Sequence, residues 1–167
     1  CLNDANKKDV LAVAVADDPQ GPYVDAIGGP LASGFSFIDP TVMIDDDGQA
    51  WLYWGNPQVY YLKLNEDMIS YSGELGKVEM TEEGFGSPAP RFRKKDVKYK
   101  DCYTEGPWIE KRGGKYYMLY AAGGVPEHIA YSMSDSPTGP WKYMGEIMPL
   151  QDTRSFTNHC GVVEYKD

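Results

Sequence analysis

Two stretches of the sequence follow one plan, IDPTVMIDDDGQAWLYWG at 38–55 and TEGPWIEKRGGKYYMLYA at 104–121. Each begins at an acidic residue beside a proline or glycine, continues as an apolar run, turns at a glycine and resumes as an aromatic-rich run. Runs of β-branched and aromatic residues separated by turn residues are typical of antiparallel strands. The two stretches therefore predict equivalent β-hairpins, with their turns at DDDG (45–48) and RGG (112–114).

Further repeats extend this pattern along the chain. LAVAVADDPQGPY at 11–23 and HIAYSMSDSPTGPW at 128–141 share a strand followed by Asp-x-Pro-x-Gly-Pro-aromatic, and TNHCGVVEYKD at 157–167 begins the hairpin plan a third time. Repeating units of four short strands are typical of the blades of a β-propeller, whereas the strands of a sandwich do not repeat as four-strand modules. The sequence predicts an all-β propeller with insertions in its loops.

The repeat places Asp39, Glu105 and His159 at equivalent positions, 66 and 54 residues apart. In a propeller the first strand of each blade lines the central axis, so these three side chains are predicted to meet at one end of that axis. Two carboxyl groups that lie close together repel when both are ionised, and one of them is pushed to keep its proton. Such a pair suits acid catalysis near neutral pH.

Composition excludes several classes of partner. The formal net charge is −9, and the one short basic run, RFRKK at 91–95, is followed by Asp96 and is interpreted as a solvated loop. A nucleic-acid-binding protein needs a cationic face, and an anionic membrane surface would repel this chain. No apolar segment reaches the length of a transmembrane helix. A neutral substrate such as a glycan is compatible with this charge.

The quoted stretches, together with LNEDMISYSGE at 64–74 and SFTNHCGV at 155–162, resemble glycoside hydrolase family 43. That family contains β-xylosidases, α-L-arabinofuranosidases and arabinanases on a five-bladed β-propeller. The resemblance runs from Leu11 to the end of the chain and is nearest to the xylosidase/arabinofuranosidase branch. It implies roughly two and a half to three blades: residues 1–30 finish the second blade, 31–80 form the third, 100–150 form the fourth and 151–167 open the fifth.

The resemblance also implies roles for the two acidic residues. Glu105, in TEGPW, matches the general acid, and Asp39, in IDP, matches the residue that acts as pKa modulator and positions the acid. The general base of the family lies on a first-blade strand, and no segment of this chain matches it. An inverting mechanism is expected, and the chain alone is expected to be inactive.

Further residues beside these two acids are expected to contact the sugar or a central calcium ion. His159 matches an axial histidine near a central calcium ion or water cluster, and no cofactor is required for the reaction. A sugar contact is expected from at least one of Trp54, Asn56 and Trp108, which flank the acids, and Asn158 is expected to contribute beside His159.

The expected function is hydrolysis of xylose- or arabinose-containing plant polysaccharides or oligosaccharides by a secreted or periplasmic bacterial enzyme, with the missing blades as its structural partners. Two alternatives remain open. One is a non-catalytic, glycan-binding propeller fragment. The other is a retaining hydrolase of the fructan or sucrose type, which carries Arg-Asp-Pro and Glu-Cys where this chain has Ile38 before Asp39 and Gly106 after Glu105.

Overall fold

The computed structural model of the chain describes residues 2–3, 8–34, 36–89, 100–150 and 156–165. Strands make up 44% of the structure and helix 3%, which confirms the predicted all-β class. The basic run at 91–95 lies outside the described residues. Among the described residues, no helix has the length and apolar character needed to cross a membrane.

The N-terminal part forms two small sheets. Strands β1 (Leu2–Asn3), β2 (Asp9–Leu11) and β5 (Ala32–Gly34) pair in the order β1-β2-β5, and β3 (Ala14–Val15) pairs with β4 (Val24–Asp25). Because β5 pairs with β2, the boundary drawn at residue 30 falls inside this sheet, which ends at Gly34. The assignment of these strands to a second blade stays a prediction.

Two four-stranded antiparallel sheets follow, each with its strands in sequence order. The first, here called the 41–77 blade, contains β6 (Thr41–Ile44), β7 (Ala50–Trp54), β8 (Tyr60–Leu64) and β9 (Tyr71–Lys77). The second, the 103–148 blade, contains β10 (Tyr103–Arg112), β11 (Lys115–Ala122), β12 (His128–Ser134) and β13 (Lys142–Met148). They lie within the ranges 31–80 and 100–150 that the resemblance implied.

Both predicted hairpin turns are present. Arg112 pairs with Lys115 across Gly113 and Gly114, whose φ angles are 58° and 75°. A two-residue turn of this kind needs positive φ at both positions, which glycine adopts without steric cost. In the other turn the Asp45 N–H donates to Gln49 O at 2.9 Å.

The two blades are joined by a shared apolar core and by polar bonds at its edge. Met43, Trp51 and Tyr53 of one blade pack in the same buried cluster as Ile109 and Met118 of the other, among further residues. The Tyr53 hydroxyl donates to Pro137 O at 2.9 Å. The shared core and this hydrogen bond fix the angle between the two blades. They thereby fix the relative position of the residues at the inner ends of the blades.

Asp45 adds a second bond between the blades. Its carboxylate accepts from Lys111 Nζ and from the Tyr116 hydroxyl, each at 2.6 Å. Partial burial opposes ionisation of Asp45, but these two donors hold its pKa below the ordinary value. The acidic turn at 45–48 is thus attached to the neighbouring blade.

One short helix interrupts the β structure. Helix α1 spans Glu82–Phe85, and the Thr81 side chain caps it by accepting from Gly84 N at 3.0 Å. A single turn is too short to produce the apolar periodicity from which helices are predicted, so the sequence pattern did not reveal it. The helix packs against the 103–148 blade, where Ser132 Oγ donates to Gly84 O at 2.7 Å.

Residues 156–165 carry no assigned strand, although the sequence indicated the start of a further blade at 151–167. Phe156 O instead accepts from Glu127 N at 3.1 Å, and Asn158 N donates to Glu127 Oε2 at 2.9 Å. These backbone groups are bonded to the loop before β12, so this segment is held against the 103–148 blade.

Asp101 provides a test of how burial acts on stability. It is 3% exposed, its carboxylate accepts from Tyr103 N at 2.9 Å, and burial raises its pKa to about 7. An unfolded chain ionises this group near 3.8. Stability from the protonated carboxyl is therefore complete below about pH 4 and is lost as the pH rises through about 7, on the order of 4 kcal/mol.

We expect Asp101→Asn to remove this loss, since its amide oxygen still accepts the Tyr103 N–H. The free energy of unfolding, measured with urea at pH 4 and pH 8 in the full-length protein, should fall less with pH in the variant than in the wild type. Asp17→Asn, at an exposed position, is the control. Equal pH dependence in wild type and Asp101→Asn would contradict the assignment.

Candidate active site

The structure brings together the three residues that the repeat aligned. Ligand atoms of Asp39, Glu105 and His159 all lie within 4.8 Å of one another. They come from the start of the 41–77 blade, from the first strand of the 103–148 blade and from the 156–165 segment. The predicted convergence of distant residues is therefore confirmed.

Asp39 occupies an unusual backbone position just before β6. Its φ angle is 57°, in the left-handed region, where aspartate is tolerated better than most residues other than glycine. Gly55 N donates to Ile38 O at 3.0 Å and so holds the chain on the preceding side. This conformation turns the carboxylate toward the neighbouring blade, where it lies close to the Gly106 N–H. Backbone outliers of this kind cluster at functional sites.

Glu105 lies at an irregular point of β10. It pairs with Ala121, and the register between β10 and β11 shifts on both sides of it, between Tyr103 and Glu105 and between Glu105 and Trp108. Bulges of this kind re-aim a side chain out of the regular alternation. Here the side chain reaches the loop after β7, where Asn56 Nδ2 donates to Glu105 Oε2 at 2.6 Å.

The electrostatic environment favours a protonated carboxyl at this site. Burial raises the pKa of Asp39, and the negative charge of Glu105 raises it further, while His159 and the Gly106 N–H act in the opposite direction. The net shift is upward, so Asp39 keeps its proton to a higher pH than a free aspartate does. Burial and a like charge are the two causes that generally produce such shifts.

Gly106 allows His159 to approach the acid. Its φ is 63°, and a Cβ built at this position would lie 3.1 Å from His159 Cε1 and 3.2 Å from Nε2. Only glycine combines this backbone conformation with this close contact. His159 Nε2 in turn lies 3.5 Å from Asp39 Oδ2. The imidazole thus stands against the backbone that follows Glu105.

We expect Gly106→Ala to lower kcat by about 10²-fold, because a displacement of the acid by about 1 Å has effects of that size. The measurement is kcat of the full-length protein on an aryl glycoside. Gly113→Ala is the matched control, since Gly113 has a φ of 58° on the same blade but no neighbour within 4 Å of a built Cβ. Equal kcat values for the two variants would show that the contact with His159 does not matter.

One of the predicted sugar contacts does not fit the structure. Trp54 has no exposed surface, and its ring packs 5.2 Å from Phe37 and 5.9 Å from Tyr60, so its burial excludes a stacking role. Asn56 donates its amide nitrogen to Glu105, and its contact with the sugar stays a prediction. Trp108 is half-buried beside Gly161, and its sugar contact stays a prediction.

Asn158 is also engaged within the protein. Its side-chain Nδ2 donates to the backbone oxygen of Glu127, and its backbone N–H donates to Glu127 Oε2 at 2.9 Å. These two bonds hold Asn158 within the protein, and its contact with the substrate stays a prediction. Glu127 itself was missed by sequence reasoning, because it has no counterpart in the repeat and stands in the loop GGVPEH before β12.

Tyr103 is another residue that the sequence did not single out. It is completely buried, and its hydroxyl donates to Gly55 O at 2.7 Å. This bond ties β10, two residues before Glu105, to the chain that follows β7. Burial raises the pKa of Tyr103, with the charges of Asp39 and Glu105 adding to the shift. The hydroxyl therefore stays neutral and serves as a fixed donor.

Comparison with known proteins identifies the family. Residues 2–167 match the family model described as glycosyl hydrolases family 43. The chain belongs to this family. Family 43 domains are five-bladed β-propellers, so the 41–77 and 103–148 blades are two blades of such a ring.

The relatives of this family 43 chain have differing specificities. It is 36% identical to a β-D-galactofuranosidase of Aspergillus niger, over 78% of this chain and 35% of that protein. It is 32% identical to a β-xylosidase of Xylanibacter ruminicola, over 93% of this chain and 54% of that protein. An α-L-arabinofuranosidase structure from Clostridium thermocellum superposes with a TM-score of 0.72 at 33% identity, covering 93% of this chain and 50% of that one. The chain thus spans about half or less of the length of these relatives.

Proposed function

We propose that the protein containing this chain is an inverting glycosidase that acts on xylose- or arabinose-containing plant polysaccharides or oligosaccharides. The observation that carries the proposal is the pair formed by Asp39 and Glu105, which the fold brings together from two blades and fixes through Gly106 N–H and Asn56. Membership of family 43 supports glycoside hydrolysis. The names of the xylosidase and arabinofuranosidase relatives support the class of sugar.

Glu105 would be the general acid that protonates the leaving glycosidic oxygen. Asn56 Nδ2 donates to its Oε2, and in a protonated carboxyl the oxygen that accepts such a bond is the carbonyl oxygen. The proton then resides on Oε1, the oxygen that Asn56 leaves open. Asp39 would orient this group by holding the N–H of the next residue, Gly106. Positioned acids of this kind contribute about 10²–10⁴-fold to the rate.

The general base is proposed to come from a blade outside this chain. Inverting enzymes keep the acid and base carboxyls about 6.5–9.5 Å apart so that a water molecule fits between them. Asp39 is too near Glu105 for that arrangement, since their ligand atoms lie within 4.8 Å. Glu127 is only 1% exposed and has no access to such a water molecule. The chain alone is accordingly proposed to be inactive.

A metal ion is not assigned a step in this reaction. The donor atoms of Asp39, Glu105 and His159 are close enough to share one cation. Calcium, however, takes six to eight oxygen ligands, so water would have to supply most of them. A cation bound to Glu105 would also compete with the proton that the acid must carry. We therefore propose that hydrolysis requires no cofactor and that a calcium ion beside His159 would have a structural role.

The experiment that tests the function is a substrate panel with product analysis. The full-length protein is assayed on aryl β-D-xylopyranoside, α-L-arabinofuranoside and β-D-galactofuranoside, and NMR identifies the anomer first released. Hydrolysis of a xyloside or arabinoside with inversion supports the proposal. Retention of configuration would favour the fructan- or sucrose-type alternative. Absence of turnover together with glycan binding in calorimetry would favour the non-catalytic alternative.

We also propose that the protein is secreted or periplasmic, because plant polysaccharides lie outside the cytoplasm of the cell that degrades them. Fractionation of the source cells with an antibody against the protein tests this. Recovery in the cytoplasmic fraction alone would contradict it.

A further inference from the structure

Glu127 is a buried carboxyl that the proposed mechanism does not use. It is 1% exposed, and its Oε1 has no hydrogen-bond partner among the described residues. Burial of a carboxyl with one oxygen unpaired is costly, so a stabilising contact elsewhere on the residue must offset it. That contact lies on the other side of the group, toward residues 156–158.

Glu127 bonds to this segment at three points. Its N–H donates to Phe156 O at 3.1 Å, its Oε2 accepts from Asn158 N at 2.9 Å, and its backbone oxygen accepts from Asn158 Nδ2. Two of these bonds use only the backbone of Glu127, and the third depends on its side chain. The side chain thus fixes the backbone of Asn158, the residue directly before His159.

His159, which follows Asn158, contacts residues beside Glu105. The His159 ring lies against Gly106, with 3.1 Å from its Cε1 to a Cβ built on that glycine, and its Nε2 lies 3.5 Å from Asp39 Oδ2. Gly106 follows Glu105 directly, and its N–H lies close to Asp39. The orientation of the acid is therefore connected to Glu127 through Asn158, His159 and Gly106.

We propose that Glu127 is a positioning residue for the acid catalyst, whose side chain sets the Asn158 backbone so that His159 packs against Gly106 and holds Glu105 in place. This inference rests on the proposed role of Glu105. Burial raises the pKa of Glu127, and the charges of Glu105 and Asp39 raise it further, which is consistent with its closeness to the site.

Two substitutions of similar volume separate the hydrogen bond from packing. Glu127→Met keeps the buried volume but cannot accept the Asn158 N–H. Glu127→Gln keeps both the volume and an accepting oxygen. Both are made in the full-length protein and assayed on two glycosides of the sugar that the protein hydrolyses, one with a sugar as leaving group and one with 2,4-dinitrophenol, which needs little protonation.

We expect Glu127→Met to lower kcat on the sugar-leaving-group substrate by about 10²-fold, the scale of an effect from a misplaced catalytic group, with little change on the dinitrophenyl glycoside. Glu127→Gln should restore the wild-type ratio of the two rates. This ratio does not depend on the fraction of folded enzyme, so a merely structural role would leave it unchanged. An equal loss on both substrates, or a Gln variant that behaves like Met, would overturn the inference.

A crystal structure of Glu127→Met gives a second readout that needs no activity. The His159 ring should move away from Gly106 in this variant and remain in place in Glu127→Gln. An unmoved ring in Glu127→Met would overturn the inference, whatever the activity of the wild-type protein. A wild-type protein that hydrolyses no glycoside would refute only the proposed function.

Discussion

Glu105→Gln is expected to lower kcat on glycosides with a sugar leaving group by about 10²–10⁴-fold, the contribution typical of a general acid. Glutamine keeps the size of the side chain and an oxygen that can accept the Asn56 Nδ2 bond seen at 2.6 Å. The geometry of the site should therefore survive while the transferable proton is lost. The loss should appear in kcat, because protonation assists the transition state and not the binding of the substrate.

The leaving group decides whether this loss reflects acid catalysis. On a 2,4-dinitrophenyl glycoside, where the departing oxygen needs little protonation, the Glu105→Gln enzyme should recover most of the wild-type rate. Glu110→Gln is the matched control, since Glu110 lies on the same strand and pairs with Tyr117 away from the site. Full activity of Glu105→Gln on xylosides or arabinosides with sugar leaving groups would refute the assignment of the acid.

Local chemistry explains why the fold was largely predictable. The turns at 45–48 and at Gly113–Gly114 depend on residues that favour those backbone angles, and the flanking runs carry aromatic and β-branched residues suited to strands. The repetition of this pattern then indicated blades without any knowledge of contacts. The 156–165 segment departed from the pattern because its backbone bonds to Glu127, a partner that no local signal identifies.

The candidate site was only partly predictable, for a geometric reason. Asp39, Glu105 and His159 could be found because the repeat gives them equivalent positions. Trp54 was expected at the sugar as a residue that flanks the acids, but it is the last residue of β7 and packs in an apolar cluster that the 41–77 blade shares with Leu11 and Phe37. Nearness along the chain does not specify the face of a strand on which a side chain lies within a tertiary structure.

Contacts between blades account for the remaining misses. Asn56 was identified as a polar residue of the site, yet its partner Glu105 is 49 residues away and belongs to another blade. Glu127 meets Asn158 across 31 residues. Each of these contacts depends on how sheets pack against one another, and a single sequence does not encode that packing in any short pattern.

Asp39→Asn is expected to make the protein more stable and less active. Asparagine tolerates the left-handed conformation at a φ of 57° and offers an oxygen to the Gly106 N–H. The variant removes the ionisable carboxyl beside Glu105, the group that we propose as modulator of the acid. We expect kcat on glycosides with a sugar leaving group to fall on the order of 10²-fold, within the range for general acid catalysis.

The stability change follows from the direction of the shift at Asp39. Its pKa in the folded protein is raised, chiefly by burial and then by Glu105 despite the opposing effect of His159. Stability from the protonated form is therefore complete below the pKa of the unfolded chain and is lost as the pH rises through the folded pKa. Asparagine cannot ionise, so Asp39→Asn should have a higher free energy of unfolding than wild type at pH 8 and a similar value near pH 3.

Urea unfolding at these two pH values, together with kcat at neutral pH, tests both parts, and the exposed Asp17→Asn is the control that should change neither. Asp39→Ala separates the effect of the charge from the effect of the side chain on the local backbone. Alanine disfavours the left-handed backbone by about 1–2 kcal/mol and leaves the Gly106 N–H without its acceptor. It should therefore lose stability as well as activity. If Asp39→Asn were destabilised at pH 8 like Asp39→Ala, the carboxylate would be a structural anchor, and its role as modulator of the acid would be refuted.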